Sequence, residues 1–212
     1  MTEVILTRWH SVASGSSPVE IYPDGCRDVI WSHPQGSSPR WHVSALDLCT
    51  RSIQPCAGTA FVGFRLRPGV GIDLDRLLAA LPTDPEEAGP AISAHCVLSP
   101  DIAAALAVCA ETIGANVGEI VAQLGGSRRS VERRMQRLTG QGPGFWLRLA
   151  RARKALAMVM ALIPLAEVAA AHEYADQSHM TRDLMRWFGA TPAVLRADPI
   201  RAQRIIASGY AS

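Results

Sequence analysis

The sequence predicts an α+β N-terminal domain followed by an all-α domain in which a long helix connects two similar helical units. Three observations support this fold class. Residues 1–80 contain short apolar segments separated by turn signals, as strands do. From residue 101 onward the apolar side chains recur at helical spacing. Within that helical half, residues 128–143 and 177–192 align without a gap, which indicates an internal duplication.

Two segments of the N-terminal half carry the clearest strand signals. The sequence VEIYPDGCRDVIW (19–31) has apolar runs on both sides of a Pro-Asp-Gly turn and predicts a hairpin. The sequence TAFVGFRLRPG (59–69) alternates, which places Val62, Phe64 and Leu66 on one face. The segment SHPQGSSPR between them predicts a loop.

The middle of the chain suggests where one domain ends and the next begins. The sequence LPTDPEEAGP (81–90) is rich in proline and acidic residues and is interpreted as a linker. Helical patterns follow it. We therefore expect a small α+β domain over residues 1–85, a linker and leading helix over 86–116, and the duplicated helical domain over 117–212.

The segment SRRSVERRMQRLTG (127–140) combines five arginines with only three large apolar side chains. Those three, Val131, Met135 and Leu138, form one stripe of a helix, with Ser127 placed as its N-cap and Gly140 as its stop signal. The opposite face carries guanidinium, carboxylate and amide groups, on Arg129, Glu132, Arg133 and Gln136. A solvated surface helix would have the same composition. The choice between such a helix and one that binds a partner through its polar face therefore depends on the rest of the chain.

The second copy repeats this pattern. Its apolar stripe is Met180, Leu184 and Trp187, and four identities coincide with the first copy: Arg182, Arg186, Gly189 and Pro192. In each copy a short helix and a tight turn precede the striped helix, which is the arrangement of a helix-turn-helix. Residues 144–161 between the copies predict a helix of roughly 27 Å. This length is close to the ~34 Å between successive major-groove faces on one side of B-DNA.

Charge separates the two halves. Residues 1–116 hold 7 basic and 12 acidic side chains, whereas residues 117–212 hold 14 basic and 7 acidic ones. The asymmetry predicts that the helical half binds a polyanion. Arginine greatly outnumbers lysine, which suits bidentate binding of phosphate or guanine, although a biased genome explains that ratio equally well. Together with the duplicated helices, the charge favours DNA as the partner.

The region from about residue 117 to 196 resembles the tandem helix-turn-helix domain of AraC/XylS-type transcription regulators. The residues that carry the resemblance are Ser127, Arg133, LTGQGP (138–143), Arg151, Ala155, DQSH (176–179), Arg182, FGATP (188–192) and Arg196. Glu173 stands where the family has a glycine, and Asp176 is placed to act as an N-cap. The motifs PDGCRD (23–28) and GFRLRPG (63–69) are similar to a short N-terminal domain of a subset of these regulators.

The resemblance implies a sequence-specific transcription regulator that reads two successive major grooves under the control of an effector at the N-terminal domain. By position in the family motif, the base-reading residues would be Arg129, Glu132, Arg133, Gln177, Ser178, His179 and Arg182. The phosphate contacts would be Arg128, Arg134, Arg137, Arg148 and Arg186. The implied partners are double-stranded DNA and an unknown small-molecule effector, with RNA polymerase and a second copy of the chain as further candidates.

A ligand-binding, metal-sensing or thiol-sensing protein whose helical half makes protein contacts is the competing class. The candidate effector residues are Trp31, Phe64, Arg65 and Cys26, of which Arg65 would bind an anion. Aromatic residues on short strands are also commonly plain core. No cysteine stands at a zinc-ligand spacing, so we expect neither a metal nor a cofactor.

The sequence lacks the signals of enzymes, membrane proteins and secreted proteins. The chain has no GxSxG, HExxH or phosphate-loop motif, which argues against an enzyme. It shows no secretory signal and no apolar stretch of bilayer length, so we expect no membrane partner. The odd number of cysteines favours a reducing compartment, and hence a cytoplasmic protein.

Overall fold

The fold class predicted from the sequence is confirmed by the computed structural model, which describes residues 4–15, 17–112, 114–207 and 209–210. Strands fill the first part of the chain and helices the second. The strands are β1 (Ile5–Val12), β2 (Val19–Ile21), β3 (Asp28–His33), β4 (Arg40–Val43), β5 (Arg51–Ile53), β6 (Ala60–Leu66), β7 (Gly71–Ile72) and β8 (Cys96–Val97).

The strands form one four-stranded sheet and two small ribbons, and all of the pairings are antiparallel. The sheet has the order β1-β6-β3-β4, and the ribbons are β2-β5 and β7-β8. The loop expected over residues 32–40 joins β3 to β4, and its turn is closed by a 3.1 Å hydrogen bond from the Ser37 amide to the Pro34 carbonyl. That loop is therefore the turn of the hairpin in this region.

The hairpin predicted over residues 19–31 is wrong. Its first strand, β2, pairs with β5, whereas β3 pairs with β4 and β6. The Pro-Asp-Gly turn packs against the helical half instead, because a Cβ at Gly25 would lie 3.0 Å from Trp146 and 2.8 Å from Tyr210. The backbone amide of Tyr210 also donates a 2.7 Å hydrogen bond to the Asp24 carbonyl. Docking of the turn thus separates the two strands.

Two helices cover one face of the sheet and complete the first core. They are α1 (Leu74–Ala80) and α2 (Gly89–His95). The predicted apolar face of β6 points into this core, since Phe64 and Leu66 are buried and Val62 packs at its edge. The segment interpreted as a linker also belongs here: Ala88 is fully buried, and Cys96 pairs with Ile72. The first core therefore extends past residue 85, where we expected the domain to end.

The helical half is built around one central helix. Its helices are α3 (Pro100–Glu111), α4 (Val117–Leu124), α5 (Arg128–Thr139), α6 (Pro143–Met160), α7 (Leu165–Ala171), α8 (Gln177–Phe188), α9 (Pro192–Ala197) and α10 (Pro199–Ile206). Helix α6 contacts all the others in this half. Its large buried residues, Trp146, Leu149, Leu156 and Val159, lie among alanines that allow close approach of the neighbouring helices.

The two halves contact each other at several points besides the Pro-Asp-Gly turn. The Thr50 amide donates a 3.0 Å hydrogen bond to the Trp187 carbonyl, and Arg201 lies 3.2 Å from a carboxylate oxygen of Glu20. Strand β7 packs against the end of α5. Among the helices described, none has the length and apolar character needed to cross a membrane.

Candidate nucleic-acid interface

Helices α4 and α5 form the first helix-turn-helix unit. The predicted cap is confirmed, because the Ser127 hydroxyl accepts a 3.2 Å hydrogen bond from the Ser130 amide. The predicted end is confirmed as well, since Gly140 adopts the left-handed conformation with φ of 81°. Val131 and Met135 are buried against the core, and Leu138 is half-buried. Helix α5 is therefore docked by the stripe that the sequence indicates.

The outward face of α5 carries the predicted base-reading residues. Arg129, Glu132 and Arg133 are all exposed. Glu132 already has a partner in this structure, because Arg128 approaches its carboxylate at 3.2 Å one helical turn away. Such an exposed pair is weak, so exchanging it for contacts to a base and a phosphate costs little free energy.

Helices α7 and α8 form the second unit. Asp176 is its N-cap, as predicted, and its carboxylate accepts a 2.6 Å hydrogen bond from the His179 amide. The stripe of Met180, Leu184 and Trp187 is buried. Gly189 ends the helix in the left-handed conformation, as Gly140 does in the first unit. Helices α5 and α8 therefore begin and end at equivalent positions of the duplicated sequence.

Three of the four candidate base readers on α8 face solvent. Gln177, Ser178 and Arg182 are exposed. His179 differs, because its ring lies nearly perpendicular to the Tyr174 ring with centroids 5.3 Å apart. Its Nδ1 also accepts a 3.3 Å hydrogen bond from the Ala175 amide. His179 is thus held in the turn of the second unit, and base reading by it would require that its side chain leave this position.

Four of the five predicted phosphate contacts are exposed arginines, namely Arg128, Arg137, Arg148 and Arg186. The fifth, Arg134, is half-buried and forms an ion pair with Asp101 of α3. Arg134 therefore joins α5 to the rest of the helical half.

A basic cluster lies on the central helix α6, and of its members only Arg148 is among the predicted DNA contacts. Arg148, Arg151 and Lys154 line a cavity of about 90 Å³ between α6, the end of α3 and the residues that follow α7. Their spacing along one helix places them on the same face, a signal that the sequence already contained. Burial lowers the pKa of Lys154, and Glu111 offsets part of that effect.

The four candidate effector residues do not converge on one site. Trp31 and Phe64 lie on the sheet face that packs against the first core, where Phe64 is 5% exposed. Arg65 is the neighbour of Phe64 on β6 and points to the other face, where its guanidinium lies 3.0 Å from Asp24 and 3.3 Å from Asp28. Two carboxylates thus neutralise the side chain that we expected to bind an anion.

Cys26 lies near the same charged group and is also buried. Burial raises the pKa of its thiol to about 12, and the carboxylate of Asp24 adds to this shift. A thiol with so high a pKa is a poor nucleophile and a poor metal ligand at neutral pH. In the part of the chain that the structure describes, no group of three or more His, Cys, Asp or Glu side chains is arranged to hold a metal.

The fold and this surface define a helix-turn-helix protein. More particularly, residues 120–198 match a family model described as a helix-turn-helix domain, which confirms the helix-turn-helix units predicted over that region. The match spans both units and covers less than half of the chain.

Two solved structures are similar to part of the chain. One is the C-terminal domain of AraT, a response regulator from Geobacillus stearothermophilus, at 19% identity over 47% of this chain and 86% of that one, with a TM-score of 0.43. The other is a transcriptional regulator with an AraC-type DNA-binding domain from Chromobacterium violaceum, at 22% identity over 49% and 94%, with a TM-score of 0.44. No curated protein matches the chain.

Proposed function

We propose that this protein is a sequence-specific transcription regulator that reads two successive major grooves with α5 and α8. The observation that carries the proposal is the equivalence of Arg133 and Arg182. Each is exposed in the second turn of its helix, opposite an apolar stripe that is buried. The same docking geometry therefore presents both guanidinium groups outward, where each can bind guanine O6 and N7 in a bidentate manner.

The two helices offer different chemistry to the bases. Helix α5 presents Arg129, Glu132 and Arg133, which favour G·C pairs, because arginine binds guanine and a carboxylate accepts from cytosine N4. Helix α8 presents Gln177 and Arg182, of which glutamine favours adenine. Because the units follow one another in one chain, a single copy should bind an asymmetric site of about two helical turns.

Phosphate contacts position the protein without specifying sequence. Arg148 is well suited to this role, since it is exposed on α6 between the two units, beside Arg151 and Lys154. The proposal further includes an effector that acts through the N-terminal domain, and a cytoplasmic location in which the chain meets RNA polymerase at promoters.

The test compares Arg133→Ala with Arg182→Ala by selection of bound genomic fragments and by footprinting. Each change should cost roughly 1–3 kcal/mol of binding free energy and relax base preference in one half of the site only. Arg204→Ala is the matched control, because Arg204 is exposed on α10 and its loss removes the same charge. Loss of preference at the same base pairs in both variants would contradict reading by two units, as would a perfect inverted repeat as the minimal site of one chain.

A second measurement separates phosphate contacts from intramolecular ones. Arg148→Ala should weaken binding to all sequences alike and reduce the slope of log K against log salt by about 0.9. Arg134→Ala should change that slope less, because Arg134 is engaged with Asp101. Gel-shift titrations over a range of salt concentrations measure both slopes. Absence of any shift at low salt would instead favour a binding protein whose helical half contacts other proteins.

A further inference from the structure

An open cavity of about 390 Å³ lies where the N-terminal domain meets the end of α5. Its N-terminal wall includes Val43, Leu46, Ile72 and Leu74, and its helical wall is formed by residues 139–141. The volume falls in the range of small-molecule sites, which occur preferentially between domains and combine apolar walls with a few polar groups.

Among the described residues that line this cavity, Arg27 supplies the one charged side chain. Its guanidinium donates a 2.5 Å hydrogen bond to the Val70 carbonyl, and within the described ranges it has no carboxylate partner. Burial lowers the pKa of Arg27, so its surroundings disfavour the charge. Arg65, by contrast, lies between Asp24 and Asp28. A partly buried cation without a counter-ion has a free energy that a bound anion would lower.

The remaining polar groups fit the same chemistry. Ser44 and Gln141 line the cavity, and no acidic side chain of the described residues does. The Ser44 hydroxyl accepts a 2.7 Å hydrogen bond from the Asp28 amide and keeps its own hydrogen to donate. The side-chain amide of Gln141 offers further donors, whereas the apolar residues offer only packing. A ligand for this cavity should therefore combine one anionic group with an uncharged, apolar body.

We propose that this cavity binds a small organic monocarboxylate. Its carboxylate pairs with the Arg27 guanidinium, in the bidentate geometry that arginine favours. Its apolar part packs against Leu46, Ile72 and Leu74. Arginine is preferable to lysine for this purpose, because its planar fork matches the two carboxylate oxygens.

The position of the cavity connects the ligand to the first recognition helix. Gly140 is the residue that ends α5, and Thr139 accepts a 3.1 Å hydrogen bond from the indole of the buried Trp146. A ligand in contact with these residues favours one orientation of α5 relative to the rest of the helical half. This inference rests on the proposed function. It predicts that the ligand changes the affinity for the DNA half-site read by α5 and leaves the affinity for the half-site read by α8 unchanged. By linkage, DNA changes the affinity for the ligand by the same factor.

Binding is tested on the full chain by ligand-observed NMR and calorimetry with linear and aromatic monocarboxylates of about four to nine carbons. The amide of each acid is the matched neutral probe, since it has the same shape without the charge. Carboxylates should bind and their amides should not, and Arg27→Gln should weaken carboxylate binding at least tenfold. Arg76→Gln is the control, because Arg76 is an exposed arginine of α1 that pairs with Asp73 outside this cavity. Equal binding of acids and amides, unchanged binding by Arg27→Gln, or no binding by any of the acids would overturn the proposal.

A second variant covers the case in which Arg27→Gln fails to fold. Leu74 is 47% exposed at the start of α1, so Leu74→Trp should be tolerated while it fills part of the cavity. Carboxylate binding should then be lost, and full retention would count against the site. The two proposals fail separately. A chain that binds carboxylates but no DNA contradicts the proposed function alone, and a chain that binds DNA but no carboxylate contradicts the ligand site alone.

Discussion

The hydroxyl of Tyr174 donates a 3.0 Å hydrogen bond to a carboxylate oxygen of Asp183. This contact joins the turn of the second helix-turn-helix unit to the middle of its recognition helix. Arg151 of α6 completes the group, since its guanidinium lies 4.3 Å from the Tyr174 ring centroid and 3.5 Å from Asp183. The three side chains together hold α8 against the central helix at a set angle.

Tyr174→Phe should lower the free energy of unfolding by about 1–3 kcal/mol, because it removes a partly buried hydrogen bond to a charged acceptor and keeps the ring. Tyr22→Phe is the control, since the hydroxyl of Tyr22 bonds to Glu20 at the surface, and its loss should cost less than about 0.5 kcal/mol. Urea denaturation measures both values. Equal losses in the two variants would show that the Tyr174 hydrogen bond contributes no more to the free energy of unfolding than the surface hydrogen bond of Tyr22.

Glu173 adopts the left-handed conformation, with φ of 56°, at the position where the family resemblance expects glycine. Glu173→Gly should therefore stabilise the protein by up to about 1 kcal/mol. The left-handed conformation costs roughly 1–2 kcal/mol for a residue with a Cβ, and the extra freedom of unfolded glycine offsets about 0.5–1 kcal/mol of the gain. Thermal unfolding of the variant measures the change. Ala170→Gly, within the neighbouring helix α7, should instead destabilise by about 1 kcal/mol, and the same sign in both variants would refute the explanation.

A substitution at Gly25 tests whether the Pro-Asp-Gly turn docks on the helical half. Gly25→Ala should destabilise by about 2–4 kcal/mol, because it combines a left-handed backbone, with φ of 75°, with a Cβ 2.8 Å from Tyr210. Gly36→Ala has a similar φ of 77° but open space around the new Cβ, so it should cost only about 1 kcal/mol. The difference between the two free energies of unfolding measures the packing. A difference near zero would show that the turn does not dock.

His172 should make stability depend on pH. Burial lowers the pKa of its imidazole below the usual 6.5, and the charges of Lys154 and Arg151 lower it further. The unfolded chain therefore takes up a proton more readily, so this contribution is fully present above pH 6.5 and is lost as pH falls through the lowered pKa. Burial also lowers the pKa of His42, which should account for part of the total dependence.

The measurement follows the melting temperature of His172→Gln and of the wild-type chain from about pH 7.5 to about pH 5. The wild-type chain should lose more stability than the variant over this range. His10→Gln, at an exposed position of β1, should behave as the wild type does. A variant with undiminished pH dependence would show that His172 does not contribute.

The cysteines should react in two classes. Cys49 and Cys56 are exposed, whereas Cys26, Cys96 and Cys109 are buried. Burial raises the thiol pKa to about 12 for Cys26 and to about 11 for Cys96 and Cys109. A thiol reagent at neutral pH should thus modify two cysteines quickly and the other three only after unfolding. Peptide mass spectrometry after brief labelling identifies them, and fast modification of Cys26 would revive the thiol-sensing alternative.

The sequence alone could not provide the partners of several residues, because those partners lie far away along the chain. Asp24 and Asp28 neutralise Arg65 only once β3 and β6 pair. Arg134 occupies an exposed-looking position of α5 until α3 brings Asp101 to it. Arg65 was the arginine that the sequence suggested for an anion, whereas the tertiary arrangement neutralises it and leaves Arg27 facing a largely apolar cavity.

What the sequence determined by itself is local. The bounds of α5 and α8, their buried stripes, and their caps at Ser127 and Asp176 depend on residues within a few positions of one another, and helical periodicity and capping act over that distance. Strand pairing joins distant residues, so the turn signal at Gly25 led to the prediction of a hairpin that the structure does not contain. The tertiary structure decided in favour of docking because Trp146 and Tyr210 form a surface that only a residue without a side chain can approach.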